Sequence, residues 1–466
     1  MPVKESSQGI PATFWTQART SQKVEIYQFG GITLLALILR VILAVVAAQH
    51  IQRAFLPDTQ SYLEPALKLL STGYYPTDSA WRTPLYPIFV ALVYWIAGTN
   101  PVFIIGVQVV ISTIGVVLTY FLGIRLLPKP AALLAALLMA ISVESITSAI
   151  YLMTETLFTF LFLGSMFSMV KAREQSNWRW LVIAAILFGL SVLCRPIALY
   201  FPGLAVLILI LDLRSRWSKR IRESLIFLAV FAVVLFPWVL RNKVLYDLPT
   251  VTTISDYNLL FYNAAAVEAN LRGMSEADIR PILQKRVDQT LIDWGEQNTA
   301  RNVAHAENVL AWQIIKTHPL RFLFLHLKSD LNNFLPDVTS LTEILGVTMG
   351  GKGTLSVLNQ SGLITAVRYY FGNQLWLIWL MLPLILLLGI IFLFSLVGVI
   401  NAIRENCWYS LAILLLPVVY FMSIPGAASL PRFRIPTMPF FCLLAGLGLY
   451  SAWSCITGRT LKKKPI

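Results

Sequence analysis

Long apolar runs constrain this chain more than any other feature of its sequence. Several approach the roughly 20 residues that an α-helix needs to cross about 30 Å of hydrocarbon. Only 13% of the 466 residues are charged and 57% are hydrophobic, whereas soluble domains carry about 25% charged residues. The sequence therefore predicts an all-α polytopic membrane protein.

Ten of these runs are candidate membrane spans. A further run at 84–97 is too short to cross a bilayer, and its prolines and aromatic residues favour an interfacial or re-entrant helix. The runs at 180–194 and 197–211 are also short, and they are either two spans joined by a tight turn at Arg195-Pro196 or one broken hairpin. The candidate spans lie near residues 30–50, 102–123, 131–150, 152–170, 180–194, 197–211, 224–240, 374–400, 407–424 and 435–454.

The positions of lysine and arginine predict the orientation of these spans. With the N-terminus inside, the short inner segments collect most basic residues, as the cytoplasmic side of membrane proteins does. The net charge of +14 therefore follows from topology, and we expect no nucleic-acid partner. The inner segments contain Lys4, Arg19 and Lys23, Arg125 and Lys129, Lys171, Arg173 and Arg179, residues 214–222, Arg404, and the tail from Arg459 to Lys464.

The same topology divides the chain into three parts. Residues 1–240 form the first part of the membrane domain and include a first outer loop at 51–100. Residues 241–373 are the one long outer segment, with the helical spacing of a helix-rich extracytoplasmic region. Residues 374–466 form the C-terminal membrane helices. The four cysteines lie in or beside apolar runs, so nothing indicates a disulfide framework.

The first outer loop carries polar side chains that a lipid-soluble chain has to accommodate. Asp58 precedes a helical pattern in which Tyr62 and several leucines share one face. Asp58 is therefore either a helix N-cap or a general base acting on a hydroxyl or amine. Further along the loop, Trp81-Arg82-Thr83-Pro84 is either an interfacial anchor or a phosphate-binding segment.

Outer basic residues occur directly at span ends, where the charge rule disfavours them. Their guanidinium groups either reach lipid phosphates at the membrane surface or converge into a phosphate site, since guanidinium binds phosphate bidentately. Intramembrane charges are costly, which favours convergence for three of them. These three are Arg82, Arg241 and Arg432, and the other outer basic residues are Arg53, Arg195, Lys243 and Arg434.

Other polar residues at the outer ends of the spans suggest substrate contacts. Glu155 begins an apolar run, so it must face an aqueous cavity or pair with an arginine. The segment after Arg241-Asn242 contains Tyr257, Asn258, Tyr262 and Asn263, which suit sugar hydroxyls and sugar faces but are also ordinary loop residues.

These residues, in this order, resemble the GT-C superfamily of integral membrane glycosyltransferases. The resemblance is to the family 39-like branch of protein O-mannosyltransferases and the lipid A aminoarabinose transferase, and it covers nearly the whole chain. The matching features are Asp58 with Tyr62 and Gly73-Tyr74, Arg82-Thr-Pro-Leu-Tyr86-Pro, Gln108, Thr154-Glu155, Arg195-Pro196, Pro237-Trp238 with Arg241-Asn242, and Arg432-Phe-Arg434-Ile-Pro.

The resemblance implies a GT-C-like helical bundle and a sugar donor linked to polyprenyl phosphate. It implies that Asp58 acts as the base near the acceptor, and we expect Glu155 to orient Arg82 or the acceptor. The donor phosphate would then contact Arg82, Arg241, Arg432 and Arg434. Sugar or acceptor contacts would come from Tyr62, Tyr86, Arg195, Asn242, Tyr257, Asn258, Tyr262 and Asn263.

The chain also departs from parts of this family. Trp81 replaces the acid that precedes the donor-binding lysine of the aminoarabinose transferases, and Arg82 replaces that lysine. The first loop has no Asp-x-Asp metal motif, so we expect no metal or other cofactor.

The expected activity is inverting transfer to a lipid, glycan or protein hydroxyl or amine, outside a bacterial inner or cell membrane, with membrane lipids as neighbours. A lipid or glycolipid flippase and a non-catalytic scaffold remain alternatives.

Overall fold

The computed structural model describes residues 12–76, 80–210, 212, 215–347, 354–371, 374 and 376–457. This part of the chain folds into twenty α-helices, with short 3₁₀ segments and one π-helical segment, Leu259–Ala264, between them. The helices are α1 (Ala12–Gln49), α2 (Gln60–Thr72), α3 (Leu85–Ala97), α4 (Pro101–Leu126), α5 (Lys129–Ile141), α6 (Val143–Ser148), α7 (Glu155–Gln175), α8 (Trp178–Cys194), α9 (Phe201–Ile210), α10 (Trp217–Tyr246), α11 (Ile254–Asn258), α12 (Ala265–Arg272), α13 (Glu276–Trp294), α14 (Ala300–Thr317), α15 (Pro319–Asp330), α16 (Val338–Leu345), α17 (Thr354–Phe371), α18 (Leu377–Arg404), α19 (Trp408–Ser423) and α20 (Met438–Ile456).

The apolar helices confirm the predicted class. Six helical stretches are long and apolar enough to cross a membrane, and five shorter apolar helices accompany them. Of the shorter ones, α3 corresponds to the run for which an interfacial or re-entrant helix is predicted. The others are α5, α8, α9 and α19, each within or overlapping a predicted span. The six long stretches are Val24–Gln49, Pro101–Leu126, Glu155–Gln175, Trp217–Tyr246, Leu377–Arg404 and Pro431–Ile456.

One predicted span, 131–150, is broken into α5 and α6. Ser142 ends α5 and caps α6, because its hydroxyl accepts a hydrogen bond from the Ser145 N–H. The fully buried Arg40 of α1 donates to the Ala140 carbonyl and to the Ser145 hydroxyl. A buried cation is stabilised at a helix C-terminus by the unpaired carbonyls there. The break therefore gives the intramembrane charge of Arg40 its partners.

Small residues bring the C-terminal helices α18 and α20 close together. A Cβ on Gly398 would overlap the Leu444 carbonyl, and one on Gly448 would overlap the Phe394 carbonyl. Membrane helices use small residues in this way because close backbone approach increases van der Waals contact. This contact fixes the position of α20, and hence of the segment that precedes it.

The segment between α10 and α18 is helical, as predicted. Ser275 caps α13 by accepting from the Asp278 N–H. Helix α15 is amphipathic, and its apolar face is exposed. An exposed apolar face on a short helix with basic residues is typical of a helix that lies in a membrane interface. The exposed apolar side chains of α15 are Leu320, Leu323, Phe324 and Leu327.

Candidate active site

Asp58 lies between two arginines that are far apart in the sequence. Its Oδ1 accepts from Arg82 Nη2 at 2.9 Å, and its Oδ2 accepts from Arg432 Nη2 at 3.1 Å. The N-cap of α2 is Thr59, and the Asp58 carboxylate makes no capping hydrogen bond. Of the two interpretations of Asp58, the capping one is therefore wrong. The carboxylate remains 35% exposed, so a substrate can reach it.

Arg82 is held by the first turn of α2 and by Asp58. Its Nε donates to Ser61 Oγ at 3.0 Å and its Nη1 donates to the Tyr62 hydroxyl at 3.1 Å. The guanidinium carbon also lies 4.8 Å from the centre of the Tyr62 ring. These partners bond all three guanidinium nitrogens, so Arg82 is oriented before any substrate binds.

Glu155 and Arg195 form a second ion pair beside the first. Glu155 Oε1 lies 2.6 Å from Arg195 Nη1, and the carboxylate is 4% exposed. The contact does not have hydrogen-bond geometry, and neither oxygen of Glu155 has a hydrogen-bond partner among the described residues. Arg432 also lies within electrostatic range of Glu155. The predicted need of Glu155 for an arginine is therefore met by Arg195 rather than by Arg82.

The two pairs and Arg432 combine three guanidinium groups with two carboxylates. Burial raises the pKa of Asp58, but the positive charges of Arg82 and Arg432 outweigh burial and hold it below its usual range. Asp58 is therefore ionised at neutral pH. The site has one positive charge in excess and suits an anionic ligand.

Arg241, near the end of α10, contacts a different part of the first loop. Its guanidinium donates to the Pro76 carbonyl and to Asn242 Oδ1, and it stacks on the Trp238 ring at 4.4 Å. No contact joins Arg241 to Asp58 in the described part of the chain. Asn242 is fully buried, and its amide donates to the Thr250 carbonyl. Arg241 thus holds the exit of α10 against the first loop, and Asn242 holds it against the segment that follows α10. Because it is fully buried, Asn242 presents no surface to a substrate.

Arg434 and Tyr86 are fully buried beneath the site. Arg434 donates to Glu144 Oε1 at 2.6 Å and to the Leu335 carbonyl at 2.8 Å. The Tyr86 hydroxyl donates to Gln108 Oε1 at 2.8 Å. Since polar groups of both side chains already have protein partners, neither offers a free group to a substrate. Sequence spacing placed Arg432 and Arg434 together, but the 3₁₀ segment Pro431–Thr437 points them to different surroundings.

Aromatic contacts join the first loop to the region after α10. The Trp81 and Tyr257 rings meet edge to face with centroids 4.8 Å apart, and Tyr257 also contacts Tyr262. Arg280 lies over the Tyr262 ring at 4.4 Å. Tyr257, Tyr262 and Asn258 are partly exposed, so a sugar can reach them. Their contacts with a sugar stay a prediction. Asn263 instead has its side-chain oxygen within hydrogen-bond distance of the Ala427 N–H and of His326.

Two residues of the site were missed in the sequence. Ser61 accepts from Arg82, and Phe433 lies beneath Arg195 at 5.0 Å. Ser61 lies three residues after Asp58, a spacing that puts both on one helical face, and this signal was available. The contact of Phe433 depends on how the last outer loop packs against α8, which no local pattern reveals.

The fold is similar to that of an archaeal oligosaccharyltransferase of known structure. The oligosaccharyltransferase of Archaeoglobus fulgidus in complex with Zn and sulfate matches with a TM-score of 0.51 at 13% identity, over 92% of this chain and 50% of that one. The oligosaccharyltransferase AglB of the same organism, with an inhibitory peptide and a dolichol-phosphate, gives 0.48 at 14%, over 94% and 53%. ArnT from Cupriavidus metallidurans, bound to undecaprenyl phosphate, gives 0.43 at 13%, over 91% and 62%.

Residues 81–240 match the family described as dolichyl-phosphate-mannose-protein mannosyltransferase. The matched segment includes Arg82, Glu155 and Arg195, and it agrees with the branch that the sequence resembles. No curated protein matches the chain. The chain spans about half the length of the archaeal oligosaccharyltransferases.

Proposed function

We propose that this chain is a membrane glycosyltransferase that moves a sugar from polyprenyl phosphate to an acceptor hydroxyl or amine. The observation that carries the proposal is the position of Asp58 between Arg82 and Arg432. A carboxylate suited to take a proton and two arginines suited to bind phosphate thus share one partly exposed site. The match of residues 81–240 to the mannosyltransferase family supports the same reaction class.

The charge change of the reaction fits this arrangement. A sugar on polyprenyl phosphate is a phosphodiester with one negative charge, and the departing polyprenyl phosphate is a dianion. The acceptor oxygen or nitrogen bonds to the anomeric carbon as the bond from that carbon to the phosphate oxygen breaks. Asp58 takes the acceptor proton. Arg82 and Arg432 stabilise the charge that develops on the phosphate, which is the kind of interaction that accelerates a reaction most.

Donor binding also prepares Asp58 for its role. In the free site both arginines are paired with Asp58 and hold its pKa low, so it is a weak base. A donor phosphate competes for the same guanidinium groups. Once they turn to the phosphate, the pKa of Asp58 rises toward the operating pH, where a general base is more effective. The base is thus activated only when the donor is present.

The remaining features of the proposal follow from this base. One carboxylate acting on the acceptor is consistent with single displacement, and hence with inversion at the anomeric carbon. Glu155 keeps Arg195 in place beside Arg432. We propose that the guanidinium groups of Arg82 and Arg432, rather than a metal ion, neutralise the phosphate. Chelators should therefore leave activity unchanged. The acceptor is a lipid, glycan or protein, and the site faces the outside of the membrane, as the charge distribution predicts.

The experiment that tests this function compares two carboxylates of the first outer loop, Asp58 just before α2 and Glu64 within α2. Purified protein is incubated with a panel of radiolabelled polyprenyl-phosphate sugars, and consumption of the lipid is measured. Asp58→Asn should lower the rate by about 10²–10⁴-fold, because general base catalysis contributes about that much. The control is Glu64→Gln, since Glu64 lies on α2 and bonds only Gln60 among its described contacts. Normal turnover by Asp58→Asn would remove Asp58 from the base role.

The transporter alternative gains no support from the structure. Such a protein needs polar groups along a path near the bilayer midplane. Arg40, the charge within the first span, uses its guanidinium for Ser112, Ala36, Ala140 and Ser145. It is therefore a structural residue rather than part of a transport path. Lipid translocation without any sugar transfer in the same assay would revive this alternative.

A further inference from the structure

A histidine outside the candidate active site contacts two groups that both accept hydrogen bonds. His326 of α15 has its Nε2 2.8 Å from the Ser423 carbonyl and its Nδ1 3.2 Å from Asn263 Oδ1. The carbonyl is an acceptor without ambiguity. The question is therefore whether the Asn263 side chain presents its oxygen or its nitrogen to the ring.

The other contacts of Asn263 answer that question. Its Oδ1 accepts from the Ala427 N–H at 3.3 Å, and its Nδ2 donates to the Asn258 carbonyl at 3.4 Å. Turning the amide over would set two donors against each other and two acceptors against each other. The oxygen therefore faces His326, as hydrogen-bond networks are used to assign amides.

Both ring nitrogens of His326 must then donate. A neutral imidazole has one N–H, whereas an imidazolium has two. Asp330, one turn further along α15, lies 3.5 Å from Nε2 and supplies the opposite charge. Ser423 is the last residue of α19, and helix C-termini favour cations. Geometry and charge thus agree on a doubly protonated ring.

The charged groups on the neighbouring elements have other partners. Glu268 of α12 pairs with Arg272 and Arg286. Among the described contacts of the His326 ring, the end of α19 supplies the Ser423 carbonyl and the π-helical segment supplies Asn263. Phe322 of α15 meets the ring edge to face. Asp330 is the charged side chain that faces His326 at ion-pair distance.

These groups hold one turn of the chain, residues 425–429, on the path to Arg432. Asp330 Oδ1 accepts from the Gly426 N–H and from the Ser429 hydroxyl, both at 2.9 Å. Gly426 has a φ of +55°, and a Cβ there would overlap the ring of His326. Burial outweighs the other effects and raises the pKa of Asp330 above its usual range, while the Ser429 hydroxyl, the charge of His326 and the Gly426 N–H act in the opposite direction. The imidazolium thus helps keep ionised the carboxylate that holds the turn.

We propose that protonated His326 is a positioning residue that clamps the 425–429 turn and thereby sets Arg432 against Asp58. The expected effect of His326 on catalysis rests on the proposed function, whereas its effect on the 425–429 turn does not. Loss of the ring proton removes one hydrogen bond and the charge partner of Asp330. The turn then loosens, and Arg432, three residues further on, loses its fixed position. Donor binding is therefore expected to weaken as pH rises.

Hydrogen exchange of the full-length protein tests the clamp without any activity. The readout is the protection factor of the Gly426 and Ala427 amides, corrected for the intrinsic pH dependence of exchange. Raising the pH until the ring loses its second proton should lower wild-type protection at least tenfold. His326→Gln should show the lower value at both pH values, and Asp330→Asn should lose protection at low pH. The control is His305→Gln, an exposed histidine of α14, which should keep the wild-type profile.

A transfer assay provides the catalytic arm of the same test. The KM for the polyprenyl-phosphate sugar should rise with pH in the wild type and be high throughout in His326→Gln. His326→Arg keeps a permanent charge, so its KM should rise less at alkaline pH. Wild-type protection that does not change with pH, or an unchanged profile in His326→Gln, would overturn the assignment. Protection that falls with pH in the wild type but not in His326→Gln, in a protein without transferase activity, would instead overturn the proposed function and leave the clamp standing.

Discussion

At the scale of single residues, two neighbouring arginines have opposite roles. Arg432 is partly exposed and pairs with Asp58, which is itself partly exposed. Arg434 is fully buried and pairs with Glu144, whose side chain is 8% exposed. An accessible arginine can exchange its partner for a phosphate, whereas a buried one with protein partners stabilises the fold. The first belongs to the chemistry and the second to the structure.

Substitution of each arginine by glutamine should separate these roles. Arg432→Gln should lower kcat/KM for the donor by about 10²-fold, since removal of one charge-stabilising donor costs at least that much, and partly exposed ion pairs add little stability. Arg434→Gln leaves Glu144 buried without its cation, a loss of about 3–5 kcal/mol. Thermal unfolding in detergent, beside the transfer assay, measures both. Equal loss of stability in the two variants would contradict the distinction.

The low pKa of Asp58 predicts different pH limits for the free and the donor-bound enzyme. The folded-state pKa lies below the usual ~3.9 of an aspartate, and the proposed mechanism requires the ionised form. The rate therefore falls as pH drops through that value. The acid limb of kcat/KM reports the free enzyme and that of kcat the complex. We expect the kcat limb at the higher pH, because the phosphate has displaced Asp58 from its arginines. Acid limbs of kcat and kcat/KM at the same pH would contradict the proposed displacement of Asp58 from its arginines by the phosphate.

Residue type and span position were enough to single out Asp58, Arg82, Arg432 and Glu155 in the sequence. They were not enough to assign partners. The ion pair between Glu155 and Arg195 depends on how the start of α7 packs against the end of α8. Arg434 was grouped with Arg432 because only Phe433 separates them in the sequence, and burial distinguishes their roles. Partner choice at this scale is set by packing between helices distant in sequence, which local patterns do not record.

At the scale of helices, the breaks and close contacts matter more than length. The apolar pattern predicted a single span over 131–150, yet the chain breaks at Ser142, where an N-cap and the charge of Arg40 meet. Serine within an apolar run is common in membrane helices, so the break had no strong sequence signal. The turn between α8 and α9 at Arg195-Pro196 is one of the two alternatives that the sequence left open there, and proline favours a turn because it removes a backbone donor.

The contact between α18 and α20 predicts a clear difference between two glycines of α18. Gly398→Ala places a methyl group against the Leu444 carbonyl and should destabilise the protein by about 1–3 kcal/mol, as overpacking does. Gly389→Ala, with nothing within 4 Å of the added Cβ, should be neutral or slightly stabilising because alanine favours helices. Thermal unfolding of the two variants in the same detergent compares them. Equal stability would argue against close backbone contact.

At the scale of the whole molecule, the bundle gathers distant segments at one end. Asp58 follows α1, Arg82 precedes α3, Arg195 follows α8 and Arg432 precedes α20. Their meeting requires the ends of these helices to lie at one level, which alternating spans produce. The order of apolar runs predicted this alternation, and hence the class of fold. It did not predict that Arg241 would pack against Pro76 at another part of the loop.

The charge distribution also predicts which end of the bundle faces outward, and cysteine labelling can test it. Gln284→Cys introduces an exposed thiol on α13, in the helical region after α10. A membrane-impermeant maleimide should label it in intact cells. The exposed native Cys455 at the end of α20 should react only after permeabilisation. Labelling of Cys455 alone in intact cells would reverse the predicted orientation.

The most direct test of the account is a structure of the protein with a polyprenyl phosphate bound. In that structure we expect the phosphate within hydrogen-bond distance of Arg82 and Arg432, with the Asp58 carboxylate released from both and open to an acceptor. A phosphate bound elsewhere, with both arginines still paired to Asp58, would contradict it.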